Sequence, residues 1–291
     1  MPVYTRTYRH YDGEFRRHAR WALIVEQELR ILAKTKIFMV LCMGAFLHFL
    51  MRLLQVVAYD VIMQDPNHPA AALLQQAQFI VVKEQTFFDF LRIQGPLLFL
   101  TCLYAGSGMI CNDFRNNLME VYFSKPITWR DYALGKVLSL ILIGLAFTAV
   151  PGVVLVVMHN LLAPGWETFS TTFWWPLEIL GFSLVLVMPC ALGVLACSAL
   201  LQSQNYAAIS VFMIIVANGV LGGLLAAFLN DANYLVISFP MALNRVGQEI
   251  FNQPNLIFTL HWAWSALYIV LVSLLCIVII FRRVRRAECA L

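Results

Sequence analysis

The chain has 291 residues, of which 61% are hydrophobic and 12% are charged, and its formal net charge is +4. A soluble domain carries about 25% charged residues, so this composition excludes an ordinary soluble protein and is typical of a membrane protein. The seven cysteines lie in apolar stretches or basic flanks, which excludes a disulfide framework, and they lack the spacing of a zinc site.

Six stretches are apolar and long enough to cross the hydrocarbon layer, which takes about 20 residues. They cover about Ile37–Tyr59, Gly95–Cys111, Tyr132–His159, Pro176–Leu201, Tyr206–Leu229 and Leu260–Phe281. The charged segment before the first stretch argues against a signal peptide. We therefore predict an all-α integral membrane protein with two parts, a cytoplasmic N-terminus over residues 1–36 and a six-span transmembrane domain over residues 37–291.

The lysines and arginines predict the orientation of the spans. Sixteen of the twenty lie before the first span, between the second and third spans, or after the sixth. Positive residues accumulate on the cytoplasmic side, so both termini are predicted to be cytoplasmic in a multi-pass protein of the inner (cytoplasmic) membrane. Topology thereby explains the positive net charge, and no nucleic acid partner is predicted.

The segment Glu14–Lys36 is predicted to form an amphipathic helix, with Arg and Glu residues opposite an apolar stripe. The residues of the stripe are Trp21, Ile24, Val25, Leu29 and Leu32. A basic helix of this kind beside a span is typical of the membrane interface, where it contacts lipid. The alternative is a cytoplasmic extension of the first span.

Three ionisable side chains are predicted inside spans or at their edges, where charge is costly and therefore often functional. His48 and Arg52 stand four residues apart on one face of the first span, and Glu178 begins the fourth. Arg52 and Glu178 are predicted to form a structural ion pair, with a substrate site as the alternative. His159 and His261 near span ends lack ligand spacing, so neither metal nor haem binding is predicted.

Two outer loops contain apolar segments that are predicted to be helical. The first covers Ala70–Arg92, and the second, before the last span, covers about Met241–Phe251. Prolines also lie within three of the spans, at Pro96, Pro151 and Pro189. Each removes a backbone donor and is predicted to kink its helix.

A charged island, Asp113–Ser139, separates the second and third spans. We predict a short helix over about Asn112–Ser124, a break at Pro126, and a second helix that continues into the third span. Thr128 is predicted to cap that second helix in a capping box with Asp131. Such a pair of helices would pass force between a soluble partner and the spans, whereas the alternative is an ordinary cytoplasmic loop.

The island resembles the coupling region of ABC-2-type permeases, the membrane subunits of ATP-binding-cassette exporters. Members tend to carry an acidic residue, Gly-Thr, an apolar run, Pro-(Ile/Leu/Val)-(Ser/Thr)-Arg, and later Gly-Lys. The matching positions are Asp113, Leu118–Phe123 with Glu120 inside it, Pro126-Ile127-Thr128 and Gly135-Lys136. The sequence departs from the motif at Asn117-Leu118, where Gly-Thr is usual, and at Trp129, which precedes Arg130.

The resemblance implies that this segment is a coupling helix that docks on a separate ABC ATPase subunit. That subunit would bind ATP and Mg²⁺, so no cofactor is predicted in this chain. The residues that would couple the two subunits are Asp113, Arg115, Leu118, Met119, Glu120, Tyr122 and Pro126. A second permease copy or a paralogue is also implied, facing the first and fifth spans. Gly219 and Gly223 in the fifth span are then assigned to dimer packing, with packing inside the chain as the alternative.

The chain is predicted to act as the permease of an exporter without catalysing a reaction itself. Gly135-Lys136 is not a nucleotide-binding loop, because Val137 follows where Ser or Thr is required and Arg130 replaces the first Gly. No catalytic residue is predicted. The first alternative is a proton-coupled carrier that uses the three ionisable groups named above. The second is an intramembrane enzyme or haem protein, which the missing residue pairs disfavour.

Overall fold

A computed structural model of the chain describes residues 20–63, 81–125, 127–163, 166–255 and 259–289. Within these ranges the regular structure is helical and contains no strand. Six helical stretches are long and apolar enough to cross a membrane. The predicted all-α membrane fold with six spans is therefore confirmed.

The α-helices of the described ranges are numbered in chain order. They are α1 (Arg20–Leu32), α2 (Lys36–Met63), α3 (Glu84–Gly106), α4 (Cys111–Arg115), α5 (Leu118–Phe123), α6 (Trp129–Phe147), α7 (Ala149–Leu162), α8 (Trp166–Thr172), α9 (Trp175–Leu200), α10 (Gln204–Leu229), α11 (Phe239–Ile250) and α12 (Trp262–Cys289). A 3₁₀ helix, Ala232–Ile237, joins α10 to α11. We call the end of the bundle where α1, α4 and α5 lie the basic end, and the end where α8 and α11 lie the distal end.

The start of the second span differs from the sequence prediction. An outer helix that packs on the ends of the spans is predicted over Ala70–Arg92. That prediction is confirmed for residues 84–92, but these residues are the first turns of α3, which begins at Glu84 and continues as the second span. The first half of the predicted helix, residues 70–80, lies outside the described ranges. Phe88 in the first turns of α3 packs on Phe182 of α9, with ring centroids 5.6 Å apart. Because of this contact, these turns are part of the packed bundle and do not form a separate helix in the outer loop.

The third span is interrupted between α6 and α7, at Thr148. Pro151 has no N–H to donate to the carbonyl of Phe147, four residues before it. The side-chain amide of Gln94 in α3 donates to that carbonyl instead, at 3.1 Å. The distortion predicted at Pro151 is thus confirmed as a helix break, and a neighbouring span satisfies the carbonyl that the proline leaves unpaired.

The fourth span, α9, is the centre of the bundle and packs on α3, α6, α7, α10, α11 and α12. The buried share of the apolar stretch is 61% in the fourth span, 56% in the second and 50% in the third, but 22% in α12, 11% in α10 and 6% in α2. A packed centre of three spans therefore carries α2 and α10 as outer helices, which present most of their apolar surface outward.

The distal end is closed by the 3₁₀ helix and α11, which confirms the helix predicted around 241–251. Gly222 of α10 lies against this segment, because a Cβ there would stand 3.1 Å from the Ser238 nitrogen. Gly247 of α11 lies against the ring of Phe182, 2.5 Å from an added Cβ. Both glycines allow a close approach that a larger residue would prevent.

Candidate functional site

The segment between the second and third spans folds as two short helices. α4 and α5 are separated at Asn117, which has a φ of 55° in the left-handed region. That conformation costs most residues about 1–2 kcal/mol but suits glycine, which is usual at this position of the motif, and asparagine. The single helix predicted over about 112–124 is therefore wrong. The capping box predicted at Thr128 and Asp131 is confirmed at the start of α6.

Lys136, near the start of the third span, lies at the centre of a buried polar cluster. Its side chain is 1% exposed, and its ammonium has three donors. They reach Glu28 Oε1 at 2.6 Å, Asp113 Oδ2 at 2.6 Å and the Met109 carbonyl at 2.8 Å. The Tyr132 hydroxyl donates to the same Asp113 oxygen at 2.7 Å. A buried charge is tolerated only when it is paired, so this Lys136 cluster ties together α1, α4, α6 and the turn after α3.

Two tyrosine rings cover the Lys136 ammonium. The ring centroids of Tyr132 and Tyr122 lie 5.3 and 5.9 Å from its nitrogen, within the range of a cation–π interaction. The two rings meet edge to face, 5.2 Å apart. Burial raises the pKa of the Tyr122 phenol, and the positive charge of Lys136 opposes that shift. Tyr122 stays neutral at physiological pH and connects α5 to the cluster.

The turn between α3 and α4 is held by a side chain of the fourth span. The Ser198 hydroxyl donates to the Ser107 carbonyl at 2.8 Å and accepts from the N–H groups of Ile110 and Cys111 at 3.2 and 3.1 Å. The first N–H groups and last carbonyls of helices otherwise lack partners. Ser198 therefore fixes the position at which α4 leaves the second span.

The sixth span reaches the same segment from the other side. The Arg283 guanidinium lies over the Phe114 ring of α4, 4.9 Å from its centroid. The backbone N–H of Trp129 at the start of α6 donates to Glu288 Oε1 at 3.3 Å. Contacts from four spans and from α1 thus converge on α4 and α5.

α1 lies directly on the first turns of α6. A Cβ at Gly135 would stand 2.8 Å from the Ile24 Cβ and 3.1 Å from the Trp21 carbonyl oxygen, so this contact requires glycine. Glu28 lies one turn beyond Ile24 on the same face and points at Lys136. The prediction that the Glu residues of α1 lie opposite its apolar stripe is therefore wrong for Glu28.

The outward surface of α4 and α5 combines apolar and charged side chains. Leu118 and Val121 are 37% and 54% exposed. The charged Arg115 and Glu120 are exposed beside them. We call these four residues the α4–α5 surface. Large apolar groups with a charged rim are typical of a site that contacts another protein.

Other residues assigned to coupling from the sequence point inward. Met119 is 5% exposed and packs in the core of this chain. Asp113 is 7% exposed and bound in the Lys136 cluster. An inward side chain cannot contact a partner protein in this conformation. Met119 and Asp113 are therefore not contact residues. Tyr122 is half-buried, and Pro126 lies outside the described ranges.

The three intramembrane ionisable groups are not joined. Arg52 donates to Gln55 Oε1 on its own helix at 2.7 Å. Among the ion pairs of the described residues there is none between Arg52 and Glu178. The ion pair predicted from the sequence is therefore wrong. His48 Nδ1 lies 2.6 Å from Gln94 Oε1, and the amide of Gln94 continues to the carbonyl freed by the proline in the third span. His48 is therefore part of a polar chain that links the first three spans.

A second histidine, for which the sequence predicted no role as a ligand, has a partner at the distal end. His159 Nδ1 lies 2.9 Å from Asp60 Oδ2, which joins α7 to α2. Its ring stacks on Trp175 at 5.8 Å. In the described part of the chain no group of three or more His, Cys, Asp or Glu side chains could hold a metal ion.

The two glycines assigned to dimer packing lie on an open part of α10. An added Cβ meets nothing within 4 Å at Gly223 and meets the Ser238 hydroxyl at 3.7 Å at Gly219. Close packing among the described residues involves the neighbouring Gly222 instead. The surface around Gly219 and Gly223 is therefore left uncovered by the rest of this chain as described.

Four residues of this region were missed by sequence reasoning: Glu28, Gln94, Tyr132 and Ser198. Glu28 carried a usable signal, because it stands four residues from buried apolar residues on either side and so belongs to their stripe. The others had no specific signal. A polar residue in an apolar helix needs a partner, but its position in the sequence does not identify that partner.

A comparison with known protein families covers nearly all of the helices described above. The sequence model of a family described as "ABC-2 family transporter protein" matches residues 22–283. The match includes most of α1, the first five spans, most of the sixth span, the Lys136 cluster and the α4–α5 surface. A search among curated proteins found no match.

Proposed function

Since the chain belongs to the family of ABC-2 transporter proteins, we propose that it is the permease subunit of an exporter driven by a separate ABC ATPase. The family comprises the membrane components of ABC transporters. ATP and Mg²⁺ are bound by the partner, and the permease converts nucleotide-dependent motion of that partner into movement of its spans.

The Lys136 cluster is the single observation that carries this proposal. It joins the turn after α3, α4, α6 and α1 through one ammonium ion that is almost completely buried. Breaking one partner away from such an ion leaves an uncompensated charge. A push on α4 and α5 is therefore passed to the second and third spans instead of being absorbed by bending of a loop.

The α4–α5 surface is the docking site for the ATPase in this proposal. Its centre consists of the exposed side chains of Leu118 and Val121, and Arg115 and Glu120 form the rim. Central apolar groups supply most of the affinity in such interfaces, whereas rim charges mainly steer association. The basic end is then the cytoplasmic end, in agreement with the distribution of Lys and Arg.

Two permease copies, or a copy and a paralogue, form the complete pore in this proposal. The apolar stretches of α2 and α10 are only 6% and 11% buried inside one chain. The open glycines Gly219 and Gly223 on α10 allow a second helix to approach closely. The proton-coupled carrier has less support, because its three ionisable groups have separate surroundings.

The test is ATPase binding by the variant Leu118→Ala/Val121→Ala. We expect the amount of ATPase recovered per tagged permease in mild detergent to fall at least about tenfold, because central contacts are lost. The matched control is Leu23→Ala/Ile31→Ala, which removes two exposed apolar side chains of α1 at the same end. Tyr122 is left intact because its loss would also disturb the Lys136 cluster. Full ATPase binding and full ATP hydrolysis by the α4–α5 variant would refute the docking site.

A further inference from the structure

Two apolar cavities adjoin along α9. The first, of about 400 Å³, lies between α3, α9, α10 and α11, and the second, of about 310 Å³, lies between α9, α10 and α12. Both are lined by Phe99, Cys190, Ile215 and Phe239. The two cavities therefore adjoin along α9, and we call them together the α9–α10 cleft.

Glycines that meet no neighbour help to leave the cleft open. Gly95 lines the first cavity and Gly193 the second, and an added Cβ at either would meet no atom of the described residues within 4 Å. Protein interiors contain few voids larger than a water molecule. A space of this size in an otherwise packed bundle lies within the range of ligand pockets.

The cleft is long enough for an acyl chain. Its lining on α9 runs from Phe182 in the first cavity to Leu200 in the second. At 1.5 Å per residue this is about 27 Å, close to the thickness of the hydrocarbon layer. α10 closes one side and is itself only 11% buried.

Charged and unpartnered polar groups lie at the distal mouth of the cleft. Arg92 is exposed there, and its partner among the described residues is the half-buried Asp89 at 3.6 Å, a long, partly exposed ion pair that contributes little. Asn244 Oδ1 is buried at the same mouth without a hydrogen-bond partner in the described part of the chain. A guanidinium suits a phosphate, and a carbonyl oxygen suits a hydroxyl.

We propose that the α9–α10 cleft binds an anionic phospholipid whose headgroup carries a hydroxyl, and that this amphiphile is the substrate class of the exporter. The acyl chain lies along α9, the phosphate meets Arg92 and the headgroup hydroxyl donates to Asn244 Oδ1. The lipid-binding site is inferred from the cleft alone, whereas its role as the substrate site rests on the proposed function.

The binding test uses three leucine substitutions at open glycines. Gly95→Leu and Gly193→Leu fill the cleft, whereas Gly181→Leu is the matched control, because Gly181 is also on α9, also meets nothing within 4 Å and lines neither cavity. Binding of phosphatidylglycerol and of phosphatidylcholine to the purified permease is measured by native mass spectrometry, without any ATPase. We expect about tenfold weaker phosphatidylglycerol binding in the two cleft variants, since leucine displaces about two methylene groups of the lipid, and wild-type binding in the control.

The headgroup is tested with Arg92→Gln. We expect this variant to lose about tenfold in affinity for phosphatidylglycerol and less in affinity for phosphatidylcholine, because the trimethylammonium group of phosphatidylcholine already balances its phosphate charge. Three outcomes would overturn the site: equal binding of the two lipids by the wild type, unchanged binding in both cleft variants, or an equal loss in Gly181→Leu. The last would indicate adsorption on the outer surface of α9 or contact with a second copy there.

The substrate role is tested in proteoliposomes that contain permease and ATPase. We expect ATP to drive fluorescent phosphatidylglycerol between leaflets with wild-type permease and with Gly181→Leu, but not with Gly193→Leu. A complex that hydrolyses ATP and leaves this lipid in place would overturn the substrate class while the proposed function stands. A permease that binds no ATPase would overturn the proposed function. The lipid-binding measurement on the purified permease would still show whether the cleft binds lipid.

Discussion

The basic end and the α9–α10 cleft show opposite ways of joining helices in one bundle. At the basic end, one buried ammonium has all three donors satisfied by groups from three parts of the chain. In the cleft, α9 and α10 leave apolar cavities of about 400 and 310 Å³ between them. Directional bonds fix a geometry, whereas unfilled apolar contact allows the spacing of helices to change. The first suits transmission of a displacement, and the second suits adaptation to a flexible ligand.

Glycine has a different role in each region. At Gly135 of the basic end an added Cβ would stand 2.8 Å from the Ile24 Cβ, so glycine there permits contact. At Gly193 an added Cβ would meet nothing within 4 Å in the part of the chain that the structure describes, so glycine there leaves space. The same residue type therefore marks tight packing in one place and missing packing in the other.

The largest effect is expected from Lys136→Met, which removes the centre of the basic end. Glu28 and Asp113 then remain buried without their counter-ion, and the free energy of unfolding should fall by about 3–5 kcal/mol. Denaturant unfolding in detergent measures it. Arg30→Met, which breaks an exposed pair with Glu26, should cost about 0.5 kcal/mol or less. Equal losses in the two variants would show that the cluster is not a special connection.

The second test compares the two kinds of glycine directly. Gly135→Ala should destabilise the protein by about 1–3 kcal/mol, because the new methyl group collides with α1. Gly193→Ala should leave stability unchanged or raise it by up to about 1 kcal/mol, because alanine forms helices better. Thermal unfolding of both variants in one detergent gives the comparison. Loss of stability in Gly193→Ala would mean that the cleft is closed in the membrane.

A smaller effect is expected from Gln94→Leu, which cuts the polar chain between the first three spans. The Phe147 carbonyl then loses its donor and His48 its partner, at a cost of about 1 kcal/mol, as for other hydrogen bonds between spans. Thr101→Val is the control on the same helix, since that hydroxyl donates to Leu97 of its own helix, and it should change stability by less than about 0.5 kcal/mol. If Gln94→Leu and the wild type have the same free energy of unfolding, the polar chain of His48, Gln94 and the Phe147 carbonyl has no structural role.

The smallest effect is expected from Asn117→Gly at the junction of α4 and α5, where a valine gives the contrasting case. Asn117→Gly should change the free energy of unfolding by less than about 0.5 kcal/mol, because both residues accept the left-handed conformation. Asn117→Val should lose about 1–2 kcal/mol, because a β-branched residue does not. Circular dichroism during denaturation measures both. Identical behaviour of the valine variant would show that the junction takes another conformation.

Much of the local structure was predictable because its causes are local. Pro151 interrupts its span because proline has no donor, and Thr128 with Asp131 begins α6 because their side chains and backbone bond reciprocally. The ends of the helices were less predictable where a helix continues beyond the hydrocarbon layer. α3 begins at Glu84 because aromatic residues in its first turns pack on another span, which hydropathy does not reveal.

By itself, the sequence determined that the chain is an all-α protein with six spans, since about 20 apolar residues must bond their own backbone in lipid. It also located the segment that carries the motif of the family. Only the tertiary structure decided that Lys136 lies between Glu28 and Asp113, that Met119 points inward and that Arg52 does not meet Glu178. Partners for these groups come from helices far apart in the sequence, and three-dimensional packing alone brings them within hydrogen-bonding distance.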